Sequence, residues 1–130
     1  ARFVTDTKDV SRNIPLTAVS SPLDGMTSGM KLVCVELCEG ATPLPKYCHP
    51  AQALYVFGPE DGTISQAIID QADAVVYVPT IGCLNLAASV NVLLYDRIAK
   101  TAQYSDGDEL VRRSRDTNNH TRIRNFYHLI

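Results

Sequence analysis

Residues 53–64 read ALYVFGPEDGTI, an apolar run that breaks into Gly58-Pro59-Glu60-Asp61-Gly62 and restarts in a helical pattern. Near-continuous apolarity at strand length, without alternation, marks a strand buried on both faces, as in parallel sheets covered by helices. Two more runs share that character, KLVCVEL at 31–37 and AVVYVP at 74–79. Between the second and third runs, TISQAIIDQADA sets Ile64, Ala67, Ile68 and Ala72 close to one helical stripe, which makes a strand-helix-strand unit. After the third, LNLAASVNVLLYDRIAK carries Leu84, Ala87, Val90, Leu94 and Ile98 at spacings of three and four and ends in basic residues that suit a helix dipole. The fold class is therefore α/β, a parallel sheet flanked by helices.

Outside this block the pattern is thinner. Arg12-Asn13-Ile14-Pro15-Leu16 leads into or forms a short strand, and SSPLDGMTSGM at 20–30 is turn-rich with a short helical piece after Pro22. Beyond residue 100, Ser105-Asp106-Gly107-Asp108 reads as a helix start, ELVRRSR as the helix, and DTNNHTRIRN as a loosely ordered end. The expected organisation is one domain over 1–100 and a basic helical extension over 101–130.

The 130 residues are enough for one core and too few for two. Apolar residues make up 45% and charged ones 20%, an ordinary globular balance. No stretch approaches the roughly 20 consecutive apolar residues of a membrane span, and ARFVTDTKDV lacks a signal peptide's apolar core, so the expectation is a cytosolic protein with no membrane partner. The formal net charge is −2, unevenly spread. Residues 1–96 hold five Lys/Arg against ten Asp/Glu, whereas 97–130 hold seven against four. Of the cysteines, Cys34 reads as a core residue, and Cys38 and Cys48 as free thiols.

Several chemistries lack their motifs. There is no G-x-G-x-x-G, no P-loop and no G-x-S-x-G elbow. His49, His120 and His128 share no metal-ligand spacing, so no metal is expected. What remains is a pair of loops. The second run ends in Gly58-Pro59-Glu60-Asp61-Gly62, and the third runs through Val78-Pro79-Thr80 into Ile81-Gly82-Cys83-Leu84-Asn85 at the start of the long helix. Read singly, the first is a turn and Asn85 a helix cap. Read together, as loops closing two neighbouring strands at the edge where open α/β sheets bind ligands, they form one binding site. Gly58, Gly62 and Gly82 would admit close backbone approach to the ligand.

FGPEDG at 57–62 followed by VPTIGCLNLAASVNVLLYDR at 78–97 resembles the second and third motifs of the SPOUT superfamily, in the SpoU/TrmH branch of RNA ribose 2′-O-methyltransferases. The resemblance spans residues 31 to about 100. It implies methyl transfer from S-adenosylmethionine to a ribose 2′-hydroxyl, by a domain whose C-terminal part is threaded into a deep trefoil knot. By position, Gly58, Glu60 and Gly62 fall in one cofactor loop, Val78 and Thr80 in the next wall, Cys83, Leu84 and Asn85 in the third, and Glu36 and Leu37 at the end of the first run. Cys83 stands where the family has Ser, and Thr80 where Met is usual.

The implied catalytic groups are Asn85 beside methyl donor and substrate, Glu60 orienting the loop or the reacting centre, and an arginine. The family's opening Asn and Arg motif is not found ahead of residue 31, so the chain resembles a SPOUT domain without its first strand and helix. Arg12 is the early arginine whose context could serve. The resemblance further implies a homodimer built on the long helix, and RNA as substrate, tRNA favoured over ribosomal RNA. RNA would be gripped by Arg112, Arg113, Arg115, Arg122 and Arg124, for which a solvated helix face is the plain alternative. The rival reading is a non-catalytic SPOUT-like module that binds RNA or a nucleotide.

Overall fold

Strand β1 (Lys31–Val35) is buried from Leu32 onward, and its side chains alternate between two cores. Val33 and Val35 point to one side, where they meet Leu44, Val76 and Leu93. Leu32 and Cys34 point to the other, with Val56 and Ile64. A strand with apolar partners on both faces has no use for polar alternation, which is why the run reads as continuous. The computed structural model describes residues 16–59, 62–80, 85–101 and 103–124.

The described residues build a four-stranded, wholly parallel sheet in the order β2 (Thr42–Pro43), β4 (Ala74–Tyr77), β1, β3 (Ala53–Phe57). In register, Val35 lies opposite both Phe57 and Val76. The two loop-bearing strands are therefore not neighbours as expected. β1 runs between them, and its end shares their edge. β2 was not foreseen; a proline in a two-residue strand is tolerated because the strand is at the sheet's edge. Asp73 pins the opposite end of β4, its carboxylate accepting from the Leu32 amide at 2.7 Å while its own amide donates to the Leu32 carbonyl at 2.8 Å.

Helix α1 (Gln66–Gln71) covers the Leu32/Cys34 face, with Ser65 as its cap. Ile68, Ile69 and Ala72 make the contact; Ala67 of the expected stripe is exposed and Ile69 takes its place. A 3-10 helix at Pro22–Gly25, closed by a reciprocal Ser21–Asp24 capping box, adds Leu23 to the same face.

Helix α2 (Leu86–Ala99) covers the other face, and here the expected stripe is out of phase. Leu93 is fully buried, whereas Leu94 and Ile98 are 45% and 53% exposed. The inward row is Leu86, Ser89, Val90, Leu93, Asp96 and Arg97, also at three and four residue spacing. The helix has apolar residues on both sides, so periodicity alone did not settle which side faces the sheet.

The chain divides into two compact units, Ala1–Arg97 and Ile98–Ile130. Within the second, α3 (Asp108–Ser114) begins at Gly107, whose φ of 97° favours glycine, and Asp108 and Glu109 suit its positive end. The segment after it, expected as a loosely ordered end, is described as far as residue 124. It turns back through 116–119, and Arg115 donates to the Thr121 carbonyl at 2.8 Å. Among the described residues no helix is long and apolar enough to cross a membrane.

Candidate functional site

Parallel strands in register put their carboxyl ends on one edge, and the strands stop one or two residues short of the apolar runs that foretold them. Glu36, Leu37, Gly58, Val78 and Thr80 sit just past those ends. Of the expected site residues, the structure gathers these five along a single edge.

Glu36 joins the strand ends. Its amide donates to the Val76 carbonyl of β4 at 2.9 Å, while its carboxylate accepts from the Ile64 amide at 2.8 Å and from the Leu37 amide at 3.1 Å. The β3–α1 loop thus closes around this carboxylate. A Cβ on Gly58 would stand 3.4 Å from Glu36 Oε1 and from the Ile64 nitrogen, and one on Gly62 would stand 3.2 Å from Pro59. At these positions the small residues admit the loop's own atoms. Charge-assisted bonds of this kind contribute about 1.5–3 kcal/mol each where shielded from water, and the Ile64 bond is the shielded one.

Leu37 is 48% exposed beside this carboxylate, Phe57 and Val78 are half-buried, and Thr80 is exposed, its amide turned onto the Val78 carbonyl at 2.8 Å. Among the described residues, an exposed leucine at the sheet's carboxyl edge, beside backbone groups and the Glu36 carboxylate that amides already satisfy, offers an apolar bed. That composition fits a planar base and a thioether better than a phosphate. Beneath it, Cys34 is fully buried, and burial, with Glu36 and then Cys38 adding to it, raises the thiol above its ordinary range.

Asn85 caps α2: its side-chain oxygen accepts from the Ala88 amide at 2.8 Å, and its carbonyl accepts from Ser89 at 2.9 Å. Both single-residue readings of Asn85 can therefore coexist, because the oxygen is committed to the cap and the amide NH₂ is not. Glu60, Gly82, Cys83, Leu84 and Arg12 lie outside the described residues. In the second unit, Arg112, Arg115 and Arg122 line one concavity, while Arg113 and Arg124 do not.

Sequence reading missed a polar chain at the other end of the sheet. Arg97 donates to the carbonyls of Pro50 and Ala51 at 2.8 and 2.9 Å and to the Tyr55 hydroxyl at 2.7 Å. A guanidinium only donates, so the Tyr55 hydroxyl accepts from Arg97; that hydroxyl is hydrogen-bonded to His49 Nδ1 at 2.8 Å, and His49 Nε2 to Asp96 at 2.7 Å. The chain moors the C-terminal end of α2 at the amino end of β3. From there the helix runs back on the order of 16 Å at 1.5 Å per residue, about a strand's length, towards the edge that holds Glu36. The His-Pro ahead of a strand and an Asp-Arg closing a helix are its visible traces. Among the described residues, no three His, Cys, Asp or Glu gather as metal ligands would.

A parallel sheet covered on both faces, with a β–α loop held at its carboxyl edge, defines an α/β domain of the kind that binds ligands at that edge. The profile of the SpoU rRNA Methylase family matches residues 7–95, which is more than half the chain, and the protein belongs to that family of RNA methyltransferases. The family binds RNA substrates and its methyltransferases generally use S-adenosylmethionine. No curated protein matches the chain.

Proposed function

We propose that this chain transfers a methyl group from S-adenosylmethionine to a ribose 2′-hydroxyl of RNA. The observation that carries the reading is the carboxyl edge itself: Glu36 holding the β3–α1 loop beside exposed Leu37, in a chain of this family. Leu37, Val78 and the backbone of the loop at Gly58 would hold the adenosine, and Glu36 keeps that loop in place. When bound, the cofactor supplies an electrophilic methyl on a sulfonium. Transfer to the 2′-oxygen would exchange that C–S bond for an O–C bond, leaving the thioether, and the hydroxyl proton would pass to solvent or to a base beside the ribose. Positioning is the protein's main task, since well-oriented reactants gain several orders of magnitude in effective concentration.

Asn85 is the group we assign beside the reacting centre, through the amide NH₂ its cap leaves free. Glu60 and Arg12 keep the roles the family resemblance gives them. By the same membership we infer a C-terminal part threaded into a trefoil knot, and a homodimer on α2, where Leu94 and Tyr95 are 45% and 74% exposed. A non-catalytic binding module is the rival, and one experiment separates them. The chain is incubated with labelled cofactor and with tRNA and ribosomal RNA in separate reactions, then nucleosides are analysed. Ribose-methylated product is expected, from tRNA in the first instance; cofactor binding with no product in either RNA would leave only the binding module. Asn85→Asp keeps a capping oxygen of equal rank and removes the NH₂. Turnover should fall at least about tenfold, the 1.4 kcal/mol scale of one hydrogen bond, with melting temperature unchanged.

A further inference from the structure

Unit Ile98–Ile130 contains a concavity that no part of the cofactor edge explains. One wall is a face of α3: Asp108, Val111, Arg112 and Arg115, at the three and four residue spacing that stacks side chains on one side of a helix. The other is the returning segment His120-Thr121-Arg122-Ile123. The return is built, not incidental. The Asn119 amide donates to the Asp116 carbonyl at 3.0 Å, the Asn119 side-chain oxygen accepts from both the amide and hydroxyl of Thr121 at 3.0 and 2.7 Å, and Arg115 clips the Thr121 carbonyl from the helix.

This arrangement lines one concavity with three arginines and a histidine, Asp108 being the acid among the described lining residues. Arg112 and Arg115 are also a like-charged pair at spacing three, which by itself weakens a helix. Among the described residues neither Arg112 nor Arg122 has an ion-pair partner, whereas Arg115 spends part of its fork on the clip. Two cations thus remain available, one on the helix wall and one on the returning segment, in a concavity that Val111 and Ile123 also line. Arg113 and Arg124, by contrast, are exposed and do not line the concavity. Convergent guanidinium groups match the forked oxygens of a phosphodiester.

We infer that this concavity is an RNA-backbone site: Arg112 and Arg122 clamp one phosphodiester from two sides, and His120 and Ile123 lie against the adjoining nucleotide. The inference rests on the RNA methyltransferase reading for its ligand, and it deepens that reading by dividing the basic tail into two clamping arginines, one structural clip and two bystanders.

The test compares charge-matched double variants of the full chain, titrated with fluorescent tRNA at several salt concentrations. Arg112→Gln/Arg122→Gln should weaken binding about tenfold or more and lower the slope of log K against log salt by roughly 1 to 2, the release expected for one or two lost phosphate contacts. Arg113→Gln/Arg124→Gln removes equal charge and should cost at most about threefold. Equal losses in the two pairs, no loss in the first, or no RNA binding by the parent chain would overturn the site. Inorganic phosphate and AMP are titrated alongside. Micromolar binding of either, lost in the first pair, would make it a free-anion site and end the RNA assignment. Circular dichroism and melting confirm that both pairs fold, and cofactor affinity, measured calorimetrically without RNA, should be unchanged in the first pair. Failure of the parent chain to bind cofactor counts against the proposed reaction and is read separately from the RNA titration.

Discussion

Glu36 shows how one carboxylate can set a loop that is distant in sequence. Its oxygens accept from Leu37 and Ile64 and its amide reaches β4, so removing it frees the β3–α1 loop while the strands stay packed. Glu36→Ala should lower stability by about 1–3 kcal/mol, one charge-assisted bond plus a partly shielded amide left unpaired. Hydrogen exchange at the Ile64 amide should quicken at least about tenfold, the same energy read locally, and cofactor affinity should fall with it. Unchanged exchange at Ile64 would remove Glu36 as the loop's anchor. At this scale the sequence was partly legible. Gly58 and Gly62 announced a tight loop, but their neighbours are the loop's own atoms and Glu36, a residue no local pattern ties to them. The His49–Tyr55–Arg97 chain was less legible still, because bonds spanning 47 and 42 positions leave no periodic trace.

At the scale of elements, the strands were legible because β1, β3 and β4 meet apolar residues on both faces, and burial of both faces is what removes alternation from a run of strand length. Their order was not, since it depends on which strand fills the gap between β3 and β4, and two-faced burial holds for any central strand. Helix α2 failed in a different way. Its length and stripe spacing were readable, but Leu93 and Leu94 are adjacent on a helix apolar on two sides, and only packing against Val33, Val35 and Val76 selects Leu93. The distinction is measurable. Leu93→Ala should destabilise the chain by about 2–5 kcal/mol, the usual cost of a core cavity, in urea denaturation of dilute protein. Leu94→Ala should stay within about 0.5 kcal/mol, as exposed substitutions do. Equal costs at the two positions would mean that the inward face of α2 has been misassigned.

At the scale of the whole molecule, the charge asymmetry along the chain anticipated a basic C-terminal part, while nothing local in the sequence could report how the backbone is threaded, because threading changes no local preference. The oligomeric state falls between these cases. The outward side of α2 presents Ala87, Asn91, Leu94 and Tyr95 in one row, all exposed, and large exposed side chains such as Leu94 and Tyr95 side by side suit a contact surface. A second copy is the economical one, since a two-fold axis across a single helix lets the same row serve as both surfaces. Small Ala87 lets two such helices approach, and Tyr95 supplies the large contact. Sedimentation velocity should therefore find the chain dimeric at tens of micromolar, on the order of what standard interfaces sustain. Tyr95→Asp, placing a charge at the most exposed residue of the row, should shift it to monomer without lowering the dilute melting temperature. A parent chain that sediments as monomer, or a Tyr95→Asp dimer of undiminished strength, would assign that face to something other than self-association.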